Sequence, residues 1–342
     1  MKKLFLAFML SALCFTLNAQ TPQEAETINK WIETYKQLEQ NKAWQEMITK
    51  SGLCKQEAPS WEFVYYYLGV ANYNLKDYPD AEMNFTIFID KNKNEAAAYL
   101  LRGHSYSELK QTDKAIADYN KYLELKPDDI EALKSKANAY LIANDLNNYV
   151  IELSNILKKQ PNDTVLLENR ANAYAKMNNW QEAIADYTTL ISINPNSFEN
   201  YKNRAYAEYT LKTPESYQAS VADYNKVIEL GVVDVDIYNA LTVLNGALKN
   251  YKAEIDAWNK LVELQPDNLD NVYRRGAAKY NDKDYKGAIS DFDIVIEKQP
   301  NHINALKRRA TAKTKSGDKA GAQADGKLIR ELEAAKNGGA TK

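Results

Sequence analysis

Apolar positions along this chain recur with a helical period, and the helical pattern itself then recurs at a longer one. Ala115, Ile116 and Tyr119 share one helical face, as do Ala183, Ile184 and Tyr187, which predicts amphipathic helices and not strands. The same residue classes return at fixed places in a 34-residue frame. Leu68-Gly69, Arg102-Gly103 and Arg275-Gly276 occupy its seventh and eighth places, and Tyr106, Tyr140 and Tyr174 its eleventh. Ala81, Ala115, Ala183 and Ala288 hold the twentieth, and Phe85, Tyr119, Tyr187, Trp258 and Phe292 the twenty-fourth. Small residues at the eighth place, Ala137, Ala171 and Ala205 among them, predict two helices in close approach.

Proline supplies the ruler. Pro127, Pro161 and Pro195 stand 34 apart, as do Pro266 and Pro300. A proline ends a helix and starts the next segment, while Asp77-Tyr78, Asn179-Trp180 and Asp284-Tyr285 mark a turn within each unit. Nine units result, at 28–61, 62–95, 96–129, 130–163, 164–197, 198–234, 235–268, 269–302 and 303–336, with three extra residues in 198–234. The arrangement resembles the tetratricopeptide repeat, whose signature is a Leu-Gly pair, a Tyr, an Ala, an aromatic and a Pro over 34 positions. The resemblance covers residues 28–336 and implies an all-α fold, a right-handed superhelical solenoid of paired antiparallel helices. No such unit buries its apolar face alone, so neighbours must stack. The first unit is degenerate but keeps Trp31, Trp44 and Pro59 in place. The last reads as a cap, with Lys327, Arg330, Glu331 and Glu333 on a polar final helix. Residues 20–27 read as a linker, 337–342 as a disordered tail, and the insertion near Thr213-Pro214-Glu215 as a lengthened turn.

Charge covaries between units. Arg102, Arg170, Arg204, Arg275 and Arg309 stand at the seventh place, and Asp118, Asp186, Asp223, Asp291 and Asp325 at the twenty-third. Unit 130–163 keeps the signs with Lys136 and Glu152. Units 62–95 and 235–268 lose base and acid together, having Leu68 with Asn84 and Leu241 with Ala257. Both places lie about equally far from the turn of an antiparallel hairpin, so a charge pair inside each unit is expected.

Composition removes several functions. Charged residues make up 26% of the chain, yet the net charge is −2, without the basic face that nucleic acid requires. His104 and His302 are the only histidines, and no phosphate loop, nucleophile elbow or metal-ligand spacing is present. No catalysis and no cofactor are expected. Lys2-Lys3, the apolar run Leu4–Leu17 and Ala19-Gln20 read as a secretion signal over residues 1–19, too short to span a bilayer. The expected location is periplasmic or secreted, with no transmembrane span after cleavage. Ser11-Ala12-Leu13-Cys14 loosely resembles a lipobox, but Leu13 is bulky where a small residue is wanted, so an outer-membrane lipoprotein is the lesser alternative. Cys54 then remains as the single cysteine and reads as an apolar filler.

The family resemblance also implies where a partner binds: the first helix of each unit lines a concave groove. On that face stand Lys134, Asn138, Asn169, Asn172, Lys202, Asn203, Tyr206, Tyr209, Tyr273 and Arg274. Asparagine both donates and accepts, so spaced amides grip a peptide backbone of any sequence, and tyrosine suits interfaces. Some family members clamp a terminal carboxylate with Lys and Asn, then Asn, then two cations. Lys134, Asn138 and Asn169 match the first three places, but Glu199 and Asn203 stand where the cations are needed, so that clamp is rejected. The expected function is an exported adaptor holding a protein or peptide. The alternative is a structural subunit of a cell-envelope complex.

Overall fold

The computed structural model describes residues 21–338, with side chains to residue 334. The predicted secretion signal, Cys14 and residues 339–342 lie outside the described residues. The chain divides into two compact bodies, one up to Pro161 and one from Asn162 onward. Among the described residues there are 18 helices and no strand.

The first body holds α1 (Pro22–Gln40), α2 (Trp44–Glu57), α3 (Phe63–Asn74), α4 (Tyr78–Lys91), α5 (Ala96–Glu108), α6 (Thr112–Leu125), α7 (Ile130–Ile142) and α8 (Leu146–Leu157). The second holds α9 (Thr164–Lys176), α10 (Trp180–Ile193), α11 (Phe198–Leu211), α12 (Pro214–Glu229), α13 (Val235–Ala247), α14 (Tyr251–Leu264), α15 (Leu269–Asn281), α16 (Tyr285–Lys298), α17 (Ile303–Ser316) and α18 (Lys319–Gly338). Odd and even helices pair into hairpins, and each hairpin packs on the next within its body.

Several second helices bury their twentieth and twenty-fourth places. Ala81, Ala115, Ala183 and Ala288 are fully buried, as are Phe85 and Phe292, with Tyr119 and Tyr187 nearly so. In the first body Trp31, Tyr35, Trp61 and Tyr67 form an aromatic cluster, Tyr35 and Tyr67 stacked at 5.0 Å, beside buried Cys54. A second cluster joins α3 through α7. In the second body one core links α11 through α15 by way of Ala205, Leu241, Leu244, Trp258 and Ala278.

The turn inside each hairpin rests on a backbone feature that periodicity does not reveal. Lys42, Lys76, Lys110, Asn144, Asn178, Lys212, Lys249 and Lys283 all have φ between 53° and 68°. They occupy the fifteenth place of successive units, and Gly317, φ 94°, occupies it in the last. In most hairpins the residue after the left-handed one donates its N–H back into the first helix, as Asp77 does to the Asn72 carbonyl at 2.8 Å and Asp284 to that of Lys279 at 2.9 Å. This is the Schellman closure of a helix end. Asp77, Asp145 and Asp284 then cap the second helix through their carboxylates.

Three expectations need correction. Residues 22–27 are not a linker: Thr21 accepts from the Glu24 N–H at 3.1 Å and Pro22 sits at the first helical place, so α1 starts there. The insertion does not lengthen the turn between α11 and α12, which is only Lys212-Thr213. Thr213 and Ser216 form a capping box with Pro214 at the helix start, and α12 grows to 16 residues against 14 in α10. Residue 337 is not the start of a structureless tail, because α18 continues to Gly338.

Candidate functional site

In five hairpins an arginine on the first helix forks onto an aspartate of the second. Arg102 donates from Nε and Nη2 to the two oxygens of Asp118, both at 2.8 Å. Arg170 grips Asp186 at 2.8 and 2.6 Å, and Arg204 grips Asp223 at 2.7 and 2.8 Å. Arg275 holds Asp291 at 3.0 and 2.7 Å, and Arg309 holds Asp325 at 3.0 and 2.6 Å. Lys136 and Glu152 meet at 2.8 Å. The aspartates are buried, so these are desolvated charges held by fork geometry. The hydrogen bonds that Arg170 and Arg204 donate to Asp186 and Asp223 outweigh burial and hold the two guanidinium groups above their ordinary value.

Arg102, Arg204, Arg275 and Arg309 also use their remaining nitrogen on the preceding unit. Nη1 of Arg102 reaches Thr86 Oγ1 at 3.1 Å, that of Arg204 reaches Thr188 Oγ1 at 3.0 Å, and that of Arg275 reaches Asn259 Oδ1 at 3.2 Å. Arg309 reaches Asp293 at 2.6 Å. Each acceptor stands at the twenty-fifth place of its unit. This link between units was missed from sequence, since Thr, Asn and Asp share no class there except acceptor capacity. Lys279 and Lys313 were missed as well. They take the eleventh place, tyrosine in three other units, and add a second cation to Asp291 at 2.9 Å and Asp325 at 3.1 Å. Such repeated pairs are architecture and leave the charge interior to the fold.

The residues expected to line a groove fall into two groups. Some are already engaged. Lys134 pairs with Glu131 at 3.2 Å, and Lys202 with Asp234 at 2.8 Å. Exposed Arg274 pairs with Asp270 at 2.6 Å. Asn172 accepts from the Tyr187 hydroxyl at 2.9 Å. Tyr209 stacks on Tyr217 at 6.0 Å and Tyr273 packs beside Phe292 and His302. These two tyrosines belong partly to the core, because their rings cover the gap between helices of a hairpin. Others are open to solvent. Asn138 and Asn169 are exposed and Asn203 is half-buried. Tyr206 is 55% exposed, edge-on to Trp180. Asn138 and Lys134 lie in the first body; the remaining eight lie in the second.

Among the described residues no group of three or more His, Cys, Asp or Glu is placed to hold a metal ion. Nor is any described helix long and apolar enough to cross a membrane. His104 is enclosed by Tyr73 and Tyr119, and burial pushes its imidazole down to about 4. It is a half-buried residue within hydrogen-bond reach of Ser135 at 3.3 Å.

A model of the tetratricopeptide repeat matches residues 96–129 and 165–197. A stretch of 70 residues is 37% identical to part of the peptidyl-prolyl cis-trans isomerase CYP7 of Saccharomyces cerevisiae. That match covers 19% of this chain and only 18% of the yeast protein. Among solved structures, the C-terminal part of a TPR repeat-containing protein from Cytophaga hutchinsonii is similar over 70% of this chain and 97% of its own, at 15% identity and a TM-score of 0.47. YrrB, described as a TPR protein with an unusual peptide-binding site, is similar over 53% of this chain and 91% of its own, at 18% identity and a TM-score of 0.41. A tetratricopeptide repeat protein from Parabacteroides merdae covers 69% of this chain and 93% of its own, at 18% identity and a TM-score of 0.39.

Proposed function

Because this chain is a tetratricopeptide-repeat protein, we propose that it is an exported, non-catalytic adaptor that holds an extended segment of a protein partner on the exposed face of its first helices. A repeat scaffold of this kind serves protein–protein interaction, and each buried chemical group repeated through the units is used up in building it. The observation that carries the reading is what remains unused. Asn169 and Asn203 occupy the same place in adjacent units, on exposed or half-buried helix faces, and their side chains form no hydrogen bond with other described residues. An extended backbone offers donors and acceptors that require partners, and amides spaced by the repeat supply both. Tyr206, largely exposed on the same helix as Asn203, adds a rigid amphipathic surface.

Export rests on the charged and apolar pattern of residues 1–19, and the partner is met in the periplasm or outside the cell. N-terminal sequencing of the mature protein tests this step: a chain beginning at Gln20 supports it, and an intact Met1 overturns it. Binding is tested with Asn169→Ala/Asn203→Ala, comparing capture of crosslinked partners and thermal melting with the wild type. Capture should weaken by about 1–3 kcal/mol, since each change strands a partner group, with melting unchanged. Unaltered capture would return these faces to mere solvated surface. It would favour instead a structural subunit held through its ends.

A further inference from the structure

Lysine at the fifteenth place is a repeated residue that takes no part in the packing. In the second body Lys212, Lys249 and Lys283 hold it with φ of 56°, 57° and 68°, a left-handed backbone that is costly for a residue with a Cβ. Asn178 stands there in the turn between α9 and α10, and Gly317 in the turn between α17 and α18. The stack therefore accepts residues that bear this conformation more easily. All three lysines are exposed. Nothing in the backbone calls for lysine, so what these turns display is its charge.

More cations gather at the same edge. Lys252 and Lys286 stand three places further on in the seventh and eighth units, and Lys315 and Lys319 flank Gly317 in the ninth. These four are exposed too, and none of the seven lysines is ion-paired with a described residue. The exposed acids of the four turns are Glu215, Asp282, Asp284 and Asp318. Two of them are occupied, Asp284 by the Gly287 N–H at 2.9 Å and Asp318 by that of Gly321 at 2.8 Å. Glu254 nearby is half-buried and accepts from the Trp258 indole at 3.4 Å. The preceding turn, between α9 and α10, sets one lysine, Lys176, against one acid, Glu182. Toward the opposite edge, where each second helix passes to the next unit, cations are spent on acids. Lys202 pairs with Asp234, Lys226 with Glu229, Lys260 with Glu263 and Arg274 with Asp270, while Lys298 stays free. The net charge of −2 thus hides a segregation, with free cations lined up along the turns.

We propose that this edge, from the α11–α12 turn to the α17–α18 turn, receives a flexible acidic segment of a protein, whose glutamates or aspartates meet the lysines turn by turn. Three observations choose this occupant among anions. The cations recur at the spacing of packed helices, roughly 10 Å, which an extended chain covers in about three residues. Four turns therefore match a run of about ten residues with an acid at every third place. The edge belongs to a stack in which each repeat is rotated on the last, so a flexible chain follows it where a flat membrane surface meets only part of it. Arginine, whose fork suits phosphate, is absent from these turns, and Tyr251 and Tyr285 are half-buried, giving nucleic-acid bases no open ring on which to stack. Lysine is a point charge on a flexible stem, suited to carboxylates that arrive in no fixed geometry. The edge lies at the turns and not on the helix face of the adaptor reading, so the two stand or fall separately.

The test uses the full mature chain and three fluorescein-labelled twelve-residue peptides, with glutamate, glutamine or lysine at every third place and serine and glycine between. In fluorescence anisotropy at low salt the glutamate peptide should bind at least tenfold more tightly than the glutamine or lysine peptide, and the difference should fade as salt is added. Lys283→Glu should weaken the glutamate peptide about fivefold, and Lys298→Glu, the same charge change at the opposite edge, less than about twofold. Lys249→Gly/Lys283→Gly should also weaken it about fivefold while melting no lower than the wild type, which separates lost charge from lost fold. Asn169→Ala/Asn203→Ala should bind it as the wild type does. Equal binding of the glutamate and glutamine peptides would overturn the proposal. Equal losses in Lys283→Glu and Lys298→Glu would overturn it as well, since net charge alone would then explain the binding. Vesicles containing phosphatidylglycerol that hold the wild type but not Lys249→Gly/Lys283→Gly, with no peptide bound, would assign the edge to a membrane surface instead.

Discussion

Arg102 reaches back across the boundary of its own repeat to Thr86, donating from Nη1 to the threonine hydroxyl at 3.1 Å. The same guanidinium holds Asp118 with its other nitrogens, so one side chain closes its hairpin and fastens it to the previous one. Arginine alone has a fork wide enough for both tasks. The two tasks are separable by mutation. Thr86→Val removes the link between repeats and should cost about 1 kcal/mol. Arg170→Ala strands the buried carboxylate of Asp186 and should cost about 3–5 kcal/mol. Arg170→Leu/Asp186→Ala, which copies Leu241 and Ala257 of the seventh unit, should recover most of that. Urea unfolding of these variants together with the single changes Arg170→Leu and Asp186→Ala decides it; a strictly additive double mutant would mean that the pair is not coupled.

The left-handed turn residues offer a gain in stability. Lys283 has φ 68° and Lys76 φ 66°, a conformation that costs a side-chain-bearing residue roughly 1–2 kcal/mol. Glycine adopts it freely but loses more chain entropy on folding. The balance favours Lys283→Gly by about 0.5–1 kcal/mol, whereas the β-branched Lys283→Val should lose stability. Denaturation midpoints of both variants check the sign, and a less stable Lys283→Gly would contradict the turn geometry. The last repeat already carries glycine, Gly317, at this place.

Glu208 gives the fold a pH dependence. It takes the eleventh place on α11, is buried, and its Oε2 lacks a hydrogen-bond partner. Burial first and the charge of Asp223 second push its carboxyl up to about 7, with Arg204 only partly offsetting them. The folded state therefore holds this proton where the unfolded chain has lost it. Stability from this group is greatest below about pH 4.5, falls as pH rises to 7, and the penalty is complete above that. Glu208→Gln should leave stability at pH 4.5 little changed and raise it at pH 8 by up to roughly 3 kcal/mol. Chemical unfolding at pH 5, 6, 7 and 8 measures the difference, and a gap that does not widen with pH would refute the assignment.

What was legible in the sequence followed from side-chain class at fixed spacing. Alanine at the twentieth place, aromatics at the twenty-fourth and Arg with Asp at the seventh and twenty-third specify buried contacts, and buried contacts tolerate few residue types. The turn at Lys42, Lys76 and Lys110 left no such trace, because lysine does not signal positive φ and only the regular interval marks it. Acceptors at the twenty-fifth place were hidden for a similar reason: Thr86, Asn259 and Asp293 differ in class and agree only in function. The extra residues of unit 198–234 were legible in number but not in position, since Thr213 and Pro214 signal a helix start as readily as a loop. On the candidate binding face the sequence named Asn169, Asn203 and Tyr206 as available, yet it could not show that Lys202, Asn172 and Arg274 are already engaged by Asp234, Tyr187 and Asp270. Those bonds depend on the third dimension.

The glycines of the first helices provide the last prediction, because one substitution should act with opposite signs at two places. Gly69 and Gly276 face the aromatic ring at the twenty-fourth place of their own hairpins. A Cβ on Gly69 would stand 2.6 Å from Phe85 Cε1, and one on Gly276 2.9 Å from Phe292 Cε1. Both phenylalanines are fully buried, so the ring cannot swing into solvent and the helices must part. Gly69→Ala should therefore cost about 1–3 kcal/mol, the usual toll of overpacking. Gly52 is also helical, but a Cβ there meets nothing within 4 Å. Gly52→Ala only reduces the freedom of the unfolded chain and should stabilise by about 0.5–1 kcal/mol. Ala171 occupies the equivalent of Gly69 above Tyr187 in the fifth unit, so a methyl group is accepted at this place in that hairpin. Gly69→Ala with Phe85→Leu should consequently lose less than the sum of its parts. Thermal melts of the single and double variants test this, and a neutral Gly69→Ala would show that close helix approach is not what glycine supplies here.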